Sequence, residues 1–195
     1  MTATLASTRA PRPSLLAPDY VAGVRQTKNG WLAVWWQRDT AESDTWQLRG
    51  VTIGHSSPQS AMKSFVEAPT LIAEGELEVQ QEELLDRLRD CLHGQADTFA
   101  NVDLNLDHLG PFASKVVQRC RRIPAGETMT YAELAAACGS PNAARAVGNV
   151  MASNRFPLVV PCHRVVGSGG GLGGFSAPQG IALKRQLLQR EGVDI

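Results

Sequence analysis

The chain has 195 residues, 43% of them hydrophobic and 19% charged, an ordinary globular composition that excludes fibrous, low-complexity and wholly disordered classes. Its apolar runs are far shorter than the roughly 20 residues a membrane-spanning helix needs, so it reads as soluble and without a membrane partner. The formal charge is zero, yet residues 1–109 carry 9 basic and 15 acidic side chains while residues 110–195 carry 10 basic and 4 acidic. The basic half is the one a nucleic acid would attract.

Residues 1–18 contain Arg9, Arg12 and three prolines, which reads as a disordered tail rather than an amphipathic transit segment. Residues 21–27 and 31–36 are β-rich runs flanking Asn29-Gly30, the dipeptide of a type I′ hairpin turn, and residues 46–53 extend them into a small sheet. Ser57-Pro58 opens a helix over residues 59–67. A second helix over 78–92 carries Leu84, Leu85, Leu88, Cys91 and Leu92 on one face. Residues 94–107 read as a linker with few apolar positions.

In the basic half, Pro111 opens a helix in which Phe112, Val116, Val117 and Cys120 share a face. Thr130 and Glu133 fit a capping box at the start of the next helix, which stops at Cys138-Gly139. Ser140-Pro141 immediately restarts another, carrying Ala143, Ala144, Arg145 and Gly148. Two short helices so joined make a helix-turn-helix candidate, and the small side chains of the second allow close backbone approach to a groove. Packed pairs of this kind also occur in cores that never touch DNA.

Residues 156–166 are a strand-like approach to Cys162-His163. His163, Arg164 and Arg155 supply the basic surroundings that activate a thiol, against the alternative of a buried structural cysteine. Neighbours on an extended strand face opposite ways, so either the backbone turns here or a water relays the proton. The glycine run 167–174 contains G-x-G-x-x-G, but residues 175–178 open no helix after it, so it reads as a loop leaving room beside Cys162. Residues 181–191 form a helix with Leu183, Leu187 and Leu188 inside and Lys184, Arg185 and Arg190 outside; Glu191 reads as a surface acid at its end. The cysteines, Cys91, Cys120, Cys138 and Cys162, have no C-x-x-C pair and no zinc spacing with His55, His93, His108 or His163, which points to free thiols in a reducing compartment.

Pro161-Cys162-His163-Arg164-Val165, preceded by Asn154 and by the run Ala143-Ala144-Arg145-Ala146-Val147-Gly148, resembles the O6-alkylguanine-DNA alkyltransferases, over residues 112–192. The resemblance implies direct reversal of DNA damage by a single-use methyltransferase: an alkyl group passes from O6 of guanine, or O4 of thymine, to Cys162 after base flipping. His163 would be the base acting through a water, Glu191 the carboxylate that orients it, and Asn154 the hinge to the recognition helix. Arg145 would fill the vacated stack and Tyr131 would crowd the target phosphate, with Ala143, Ala144 and Gly148 on the DNA face in the minor groove. Met151, Pro157, Val165, Phe175, Ser176 and Lys184 would line the substrate pocket. The resemblance implies no cofactor or metal, a monomer with double-stranded DNA as its partner, and a cytoplasmic location, nucleoid-associated in a bacterium and nuclear in a eukaryote. Three departures from the family pattern stand out: Phe175 where many members carry Tyr, Ala177-Pro178 where glycine is usual, and no counterpart of the zinc residues of some members.

The expected fold class is therefore α+β. A tail over residues 1–18 precedes a small N-terminal α/β supporting domain over 19–106, an antiparallel sheet with helices. A mainly helical C-terminal domain over 107–195 holds the helix-turn-helix and the active-site cysteine. The rival readings are a non-catalytic alkyltransferase-like lesion binder, a helix-turn-helix DNA-binding module with a structural or redox cysteine, and a Cys-His hydrolase. The first lacks an acceptor cysteine, and nothing in the chain speaks for the oxyanion hole of the last.

Overall fold

Two β-rich, largely apolar runs on either side of a short polar turn fold into a hairpin. The computed structural model describes residues 20–38, 45–65 and 69–195; the expected tail over residues 1–18 and the expected helix end at Glu67 lie outside them. Strand β1 (Tyr20–Thr27) pairs antiparallel with β2 (Gly30–Arg38), which pairs antiparallel with β3 (Trp46–His55). A short strand β4 (Thr70–Leu71) joins the free edge of β1 in parallel, giving the order β3-β2-β1-β4.

The hairpin turn differs from the expected type. Thr27 faces Gly30 in register, so Lys28 and Asn29 occupy the turn, and neither has a positive φ. The left-handed step falls on Gly30 at φ 95°, as in a hairpin closed by a glycine bulge. A Cβ there would stand 2.4 Å from the carbonyl oxygen of His55, so only glycine fits.

Strand β2 is buried on both faces. Leu32, Val34 and Trp36 join the main core with helix α2 (Val79–Leu92), whose Leu84, Leu85, Leu88, Cys91 and Leu92 are buried as the periodicity requires. Ala33 and Trp35 face helix α1 (Pro58–Met62), capped reciprocally by Ser57 and Ser60. This helix ends five residues short of the expected Glu67, because Phe65 leaves the helical path to meet Trp35 edge-on at 4.5 Å between ring centroids. Residues 94–107 are not a bare linker either. Phe99 is 1% exposed, and Leu48 of β3 donates to the Asp103 carbonyl and accepts from the Asn105 amide, both at 2.9 Å.

The second half is built from α3 (Pro111–Cys120), α4 (Tyr131–Ala137), α5 (Ala144–Ala152) and α6 (Gly180–Arg190). Their buried side chains, among them Val116, Leu134, Val147 and Leu183, belong to the same hydrophobic cluster as Leu32 and Leu85 of the first half. Thr130 and Glu133 make the expected capping box at the start of α4, with Thr130 N donating to Glu133 Oε2 at 2.7 Å and Glu133 N to Thr130 Oγ1 at 3.1 Å. After Gly139 the chain does not restart a helix at Ser140-Pro141. A turn comes first, closed by the Ala143 amide on the Ser140 carbonyl at 2.9 Å, and α5 begins at Ala144. Two short strands, β5 (Met129–Thr130) and β6 (Val165–Val166), pair in parallel beside α4. Among the described residues no helix is long and apolar enough to cross a membrane.

Candidate active site

The approach to the thiol is a folded loop, not the expected strand. Leu158 takes φ 74°, the Val160 amide donates to the Phe156 carbonyl at 2.8 Å, and residues Cys162–Arg164 form one turn of 3-10 helix. The backbone therefore turns at the cysteine, which removes the geometric objection of alternating strand faces. Asn154 holds the loop closed: its Nδ2 donates to the Val160 carbonyl at 2.9 Å and its Oδ1 accepts from the Phe156 amide at 3.0 Å. The same side chain favours the ionised form of the Cys162 thiol.

Cys162 is 5% exposed. Burial pushes its thiol pKa up, against the Asn154 hydrogen bond, the charge of Lys184 and the backbone amides of Cys162 and His163. The net rise leaves a protonated thiol near neutral pH, so its chemistry requires a base. His163 is suited to that task. Burial lowers its pKa in spite of Glu191, so the ring is neutral near pH 7. Its Nε2 stands 3.0 Å from Glu191 Oε1. Burial would raise the Glu191 carboxyl, but hydrogen bonds from His163 and Arg164 more than offset it and hold it at about 2. An ionised carboxylate only accepts, so Nε2 carries the ring proton and Nδ1 keeps a bare lone pair. That Nδ1 is buried and has no hydrogen-bond partner among the described residues.

Arg164, expected among the basic surroundings of the thiol, is turned to Glu191 instead. Its Nε and Nη2 grip the two Glu191 oxygens at 3.0 and 2.7 Å, and Nη1 donates to the Ile123 carbonyl at 2.6 Å. The cation that favours the thiolate is Lys184. Expected on the outer face of its helix, it is instead fully buried, donating to the carbonyls of Val165 at 2.6 Å and Gly174 at 3.3 Å. The signal was present: 184, 187 and 188 share a helix face with each other and with the core.

Cys162 opens into a cavity of about 420 Å³ lined by Tyr131 at the start of α4, Gly148, Met151 and Ala152 of α5, and Gly173, Gly174, Phe175 and Ser176 of the glycine-rich loop. This volume lies in the range of small-molecule sites. Pro157, Val165 and Lys184 do not line it. Gly173 takes φ 69°, and a Cβ there would stand 2.7 Å from Tyr131 Oη, so the missing side chain is what admits the tyrosine. Arg145 is exposed on the first turn of α5, with Ala143 and Ala144 beside it and half-buried. A larger cavity of about 840 Å³, between residues 96–106 and the end of α3, holds no thiol or imidazole and touches this site through Arg164. Chemistry, not size, selects the smaller one. Among the described residues no group of three or more His, Cys, Asp or Glu could hold a metal ion.

Fold and site together define a class: a mixed α+β protein in which the buried thiol of Cys162 is backed by a His–Glu pair, under a pair of short helices. Residues 111–193 match the family described as 6-O-methylguanine DNA methyltransferase, DNA binding domain. The chain is 43% identical over 107 residues to a probable methylated-DNA–protein-cysteine methyltransferase of Acanthamoeba polyphaga mimivirus, covering 55% of this chain and 69% of that protein. It is 44% identical over 112 residues to the constitutive methylated-DNA–protein-cysteine methyltransferase of Bacillus subtilis, covering 57% of this chain and 66% of that protein. A crystal structure of Mycobacterium tuberculosis OGT in complex with DNA superposes with a TM-score of 0.68 at 26% identity, covering 88% of this chain and 93% of that one. The chain belongs to the methylated-DNA–protein-cysteine methyltransferase family. The sequence matches to several of these relatives span just under two thirds of their length, 66% in Bacillus subtilis and 62% in Salmonella typhimurium.

Proposed function

We propose that this protein repairs DNA by moving an alkyl group from O6 of guanine to Cys162, once per molecule. The observation that carries the reading is the buried thiol on the 420 Å³ cavity with the His163–Glu191 pair behind it. His163 Nδ1 takes the thiol proton through one bridging water. The thiolate attacks the alkyl carbon; the S–C bond forms as the C–O6 bond breaks, and the bonding pair leaves on the purine, which regains a proton. A thioether has no ready leaving group, so the protein is consumed.

A base stacked in a duplex cannot reach the sulfur of a cysteine that is only 5% exposed, so the lesion is flipped out, at about a few kcal/mol. In this reading α4 and α5 act as a helix-turn-helix whose second helix enters the minor groove. The exposed Arg145 replaces the flipped base, Tyr131 presses on its phosphate, and the small residues 143, 144 and 148 let the backbone come close. Residues 107–195 do the chemistry as a monomer and residues 19–106 support them, in whichever compartment holds the DNA. O4-alkylthymine is a second substrate of the same site.

Incubation with a duplex oligonucleotide containing O6-methylguanine, followed by peptide mass spectrometry, tests the proposal. One methyl on Cys162 and at most one per molecule is expected. Turnover beyond one equivalent, or methylation elsewhere, overturns it.

A further inference from the structure

Asn29 sits at the tip of the β1–β2 hairpin, where turn residues are ordinarily solvated, yet it is 6% exposed. Three side chains of α6 and its cap converge on it. Gln179 Nε2 donates to its main-chain carbonyl at 2.5 Å, its own Nδ2 donates to Gln186 Oε1 at 2.9 Å, and Arg190 Nη1 donates to its Oδ1 at 2.7 Å. Gln179, Gln186 and Arg190 are spaced by seven and four residues, one stripe of the helix from its N-cap to its last turn. Arg190 also donates to the Leu92 carbonyl at the end of α2, and Gln179 to the Gly54 carbonyl in β3 at 3.3 Å. The tip of one hairpin thus spans α6 end to end.

The residue after Arg190 is Glu191, the C-cap of α6 and the partner of His163 Nε2. A helix that slips by one residue moves about 1.5 Å along its axis. That exceeds the roughly 0.5 Å range over which a hydrogen bond keeps its geometry. Leu183 and Leu187 bury the inner face of α6 without fixing its register; Lys184, bonded to the Val165 carbonyl, holds its middle, and the three directional bonds to Asn29 hold its two ends. The titratable and charged groups facing the His163–Glu191 pair are Arg164 from the 3-10 turn, Lys184 from α6 and Cys91 from α2, whose thiol is pushed up to about 12; Arg190, Lys28 and His93 stand at the Asn29 end.

We infer that Asn29 is a positioning residue: by clamping α6 against the first-half sheet it sets the Glu191 carboxylate that orients His163 beside Cys162. The inference rests on the reading of Cys162 as the reacting thiol. It gives the acidic half of the chain a part in the chemistry beyond support.

The test uses the full-length protein and two reagents. Carboxamidomethylation of Cys162 by iodoacetamide, mapped by mass spectrometry across pH, reads the thiol and its base without any assumption about the substrate; transfer from O6-benzylguanine reads the proposed function. Asn29→Leu should slow both at pH 7 by about tenfold or more and move the rise of the iodoacetamide profile to higher pH. Asn29→Asp keeps the acceptor for Arg190 and should restore most of the rate. Arg87→Ala, which breaks the first-half ion pair with Asp97 at 2.7 Å, should lower the unfolding temperature and leave the profile in place. Gln186→Ala removes one of the two bonds to the Asn29 side chain and should give an intermediate shift, which decides the matter if Asn29→Leu does not fold. Profiles of the Asn29 and Gln186 variants that superimpose on wild type, or a failure of Asn29→Asp to restore what Asn29→Leu loses, overturn the inference. Wild-type protein that reacts with iodoacetamide but not with O6-benzylguanine instead overturns the proposed function, and the iodoacetamide profiles still decide the role of Asn29.

Discussion

His163 and Glu191, 28 residues apart in the chain, meet through a single ring nitrogen at 3.0 Å, and that contact settles which nitrogen of the imidazole is left to act as a base. Arg164 holds the carboxylate from its other side, so the direction of the ring and the charge behind it are fixed before any substrate arrives.

Glu191→Gln should therefore lower the rate of transfer by about 10²-fold or more, because an amide can offer either N–H or C=O to the ring and no longer dictates its tautomer. It should also cost about 3 kcal/mol of stability, since Arg164 loses its charged partner. The Glu191 carboxyl lies at about 2 against 4.5 for the free group. A carboxyl depressed in the folded state stabilises fully above its unfolded value, and the contribution is lost as pH falls through the folded one. Urea unfolding of wild type should show this loss between pH 4.5 and about 2, and Glu191→Gln should lack that component.

Lys184→Met keeps the bulk of a buried side chain and removes the donor to Val165 and Gly174. The buried Val165 carbonyl, left without this donor, should cost about 1–3 kcal/mol in urea unfolding. Loss of the cation that favours the thiolate should also move the pH profile of Cys162 alkylation upward. An unchanged profile would mean that Lys184 acts only as a strut.

Gly173→Ala forces a side chain into the left-handed region and against the Tyr131 hydroxyl. We expect about 1–2 kcal/mol of destabilisation from the backbone alone. Reaction with free O6-benzylguanine should slow as well, because the loop or the tyrosine must shift into the cavity. A crystal structure of the variant would show which of the two moves.

Arg145→Ala should weaken repair of O6-methylguanine in a duplex far more than reaction with free O6-benzylguanine, since only the duplex requires a base to be flipped and its place filled. Equal losses, measured as second-order rates side by side, would remove Arg145 from the flipping step. Binding to undamaged duplex should weaken with added salt as phosphate contacts release counterions.

Most helices and the hairpin were legible because burial imposes a period: Leu84, Leu85, Leu88, Cys91 and Leu92 could only face one way. Cys162, His163 and Glu191 were legible through the motif and not through physics, for Glu191 alone reads as a surface acid at the end of a helix. What escaped were contacts that carry no local pattern. Asn29 meets Arg190 across 161 residues, and nothing near either residue announces it. Residues 94–107 lack periodicity and so read as a linker, although Phe99 and two backbone bonds to Leu48 anchor them. Lys184 escapes for another reason: its charge argues for solvent while its spacing argues for the core, and a lysine with two carbonyls in reach can be buried.

The short β5–β6 pairing carries the last consequence. Met129 faces Val165 and Thr130 faces Val166, so the residue just before Tyr131 is tied by main-chain bonds to the segment that begins at Cys162. The span from the helix that would grip the duplex to the sulfur is thereby a gauge of fixed length. Under the proposed function, a nucleotide that swings the whole span would meet the thiol. One that stays paired would fall short of it, so lesion selection would rest on reach, with no letter of the sequence being read.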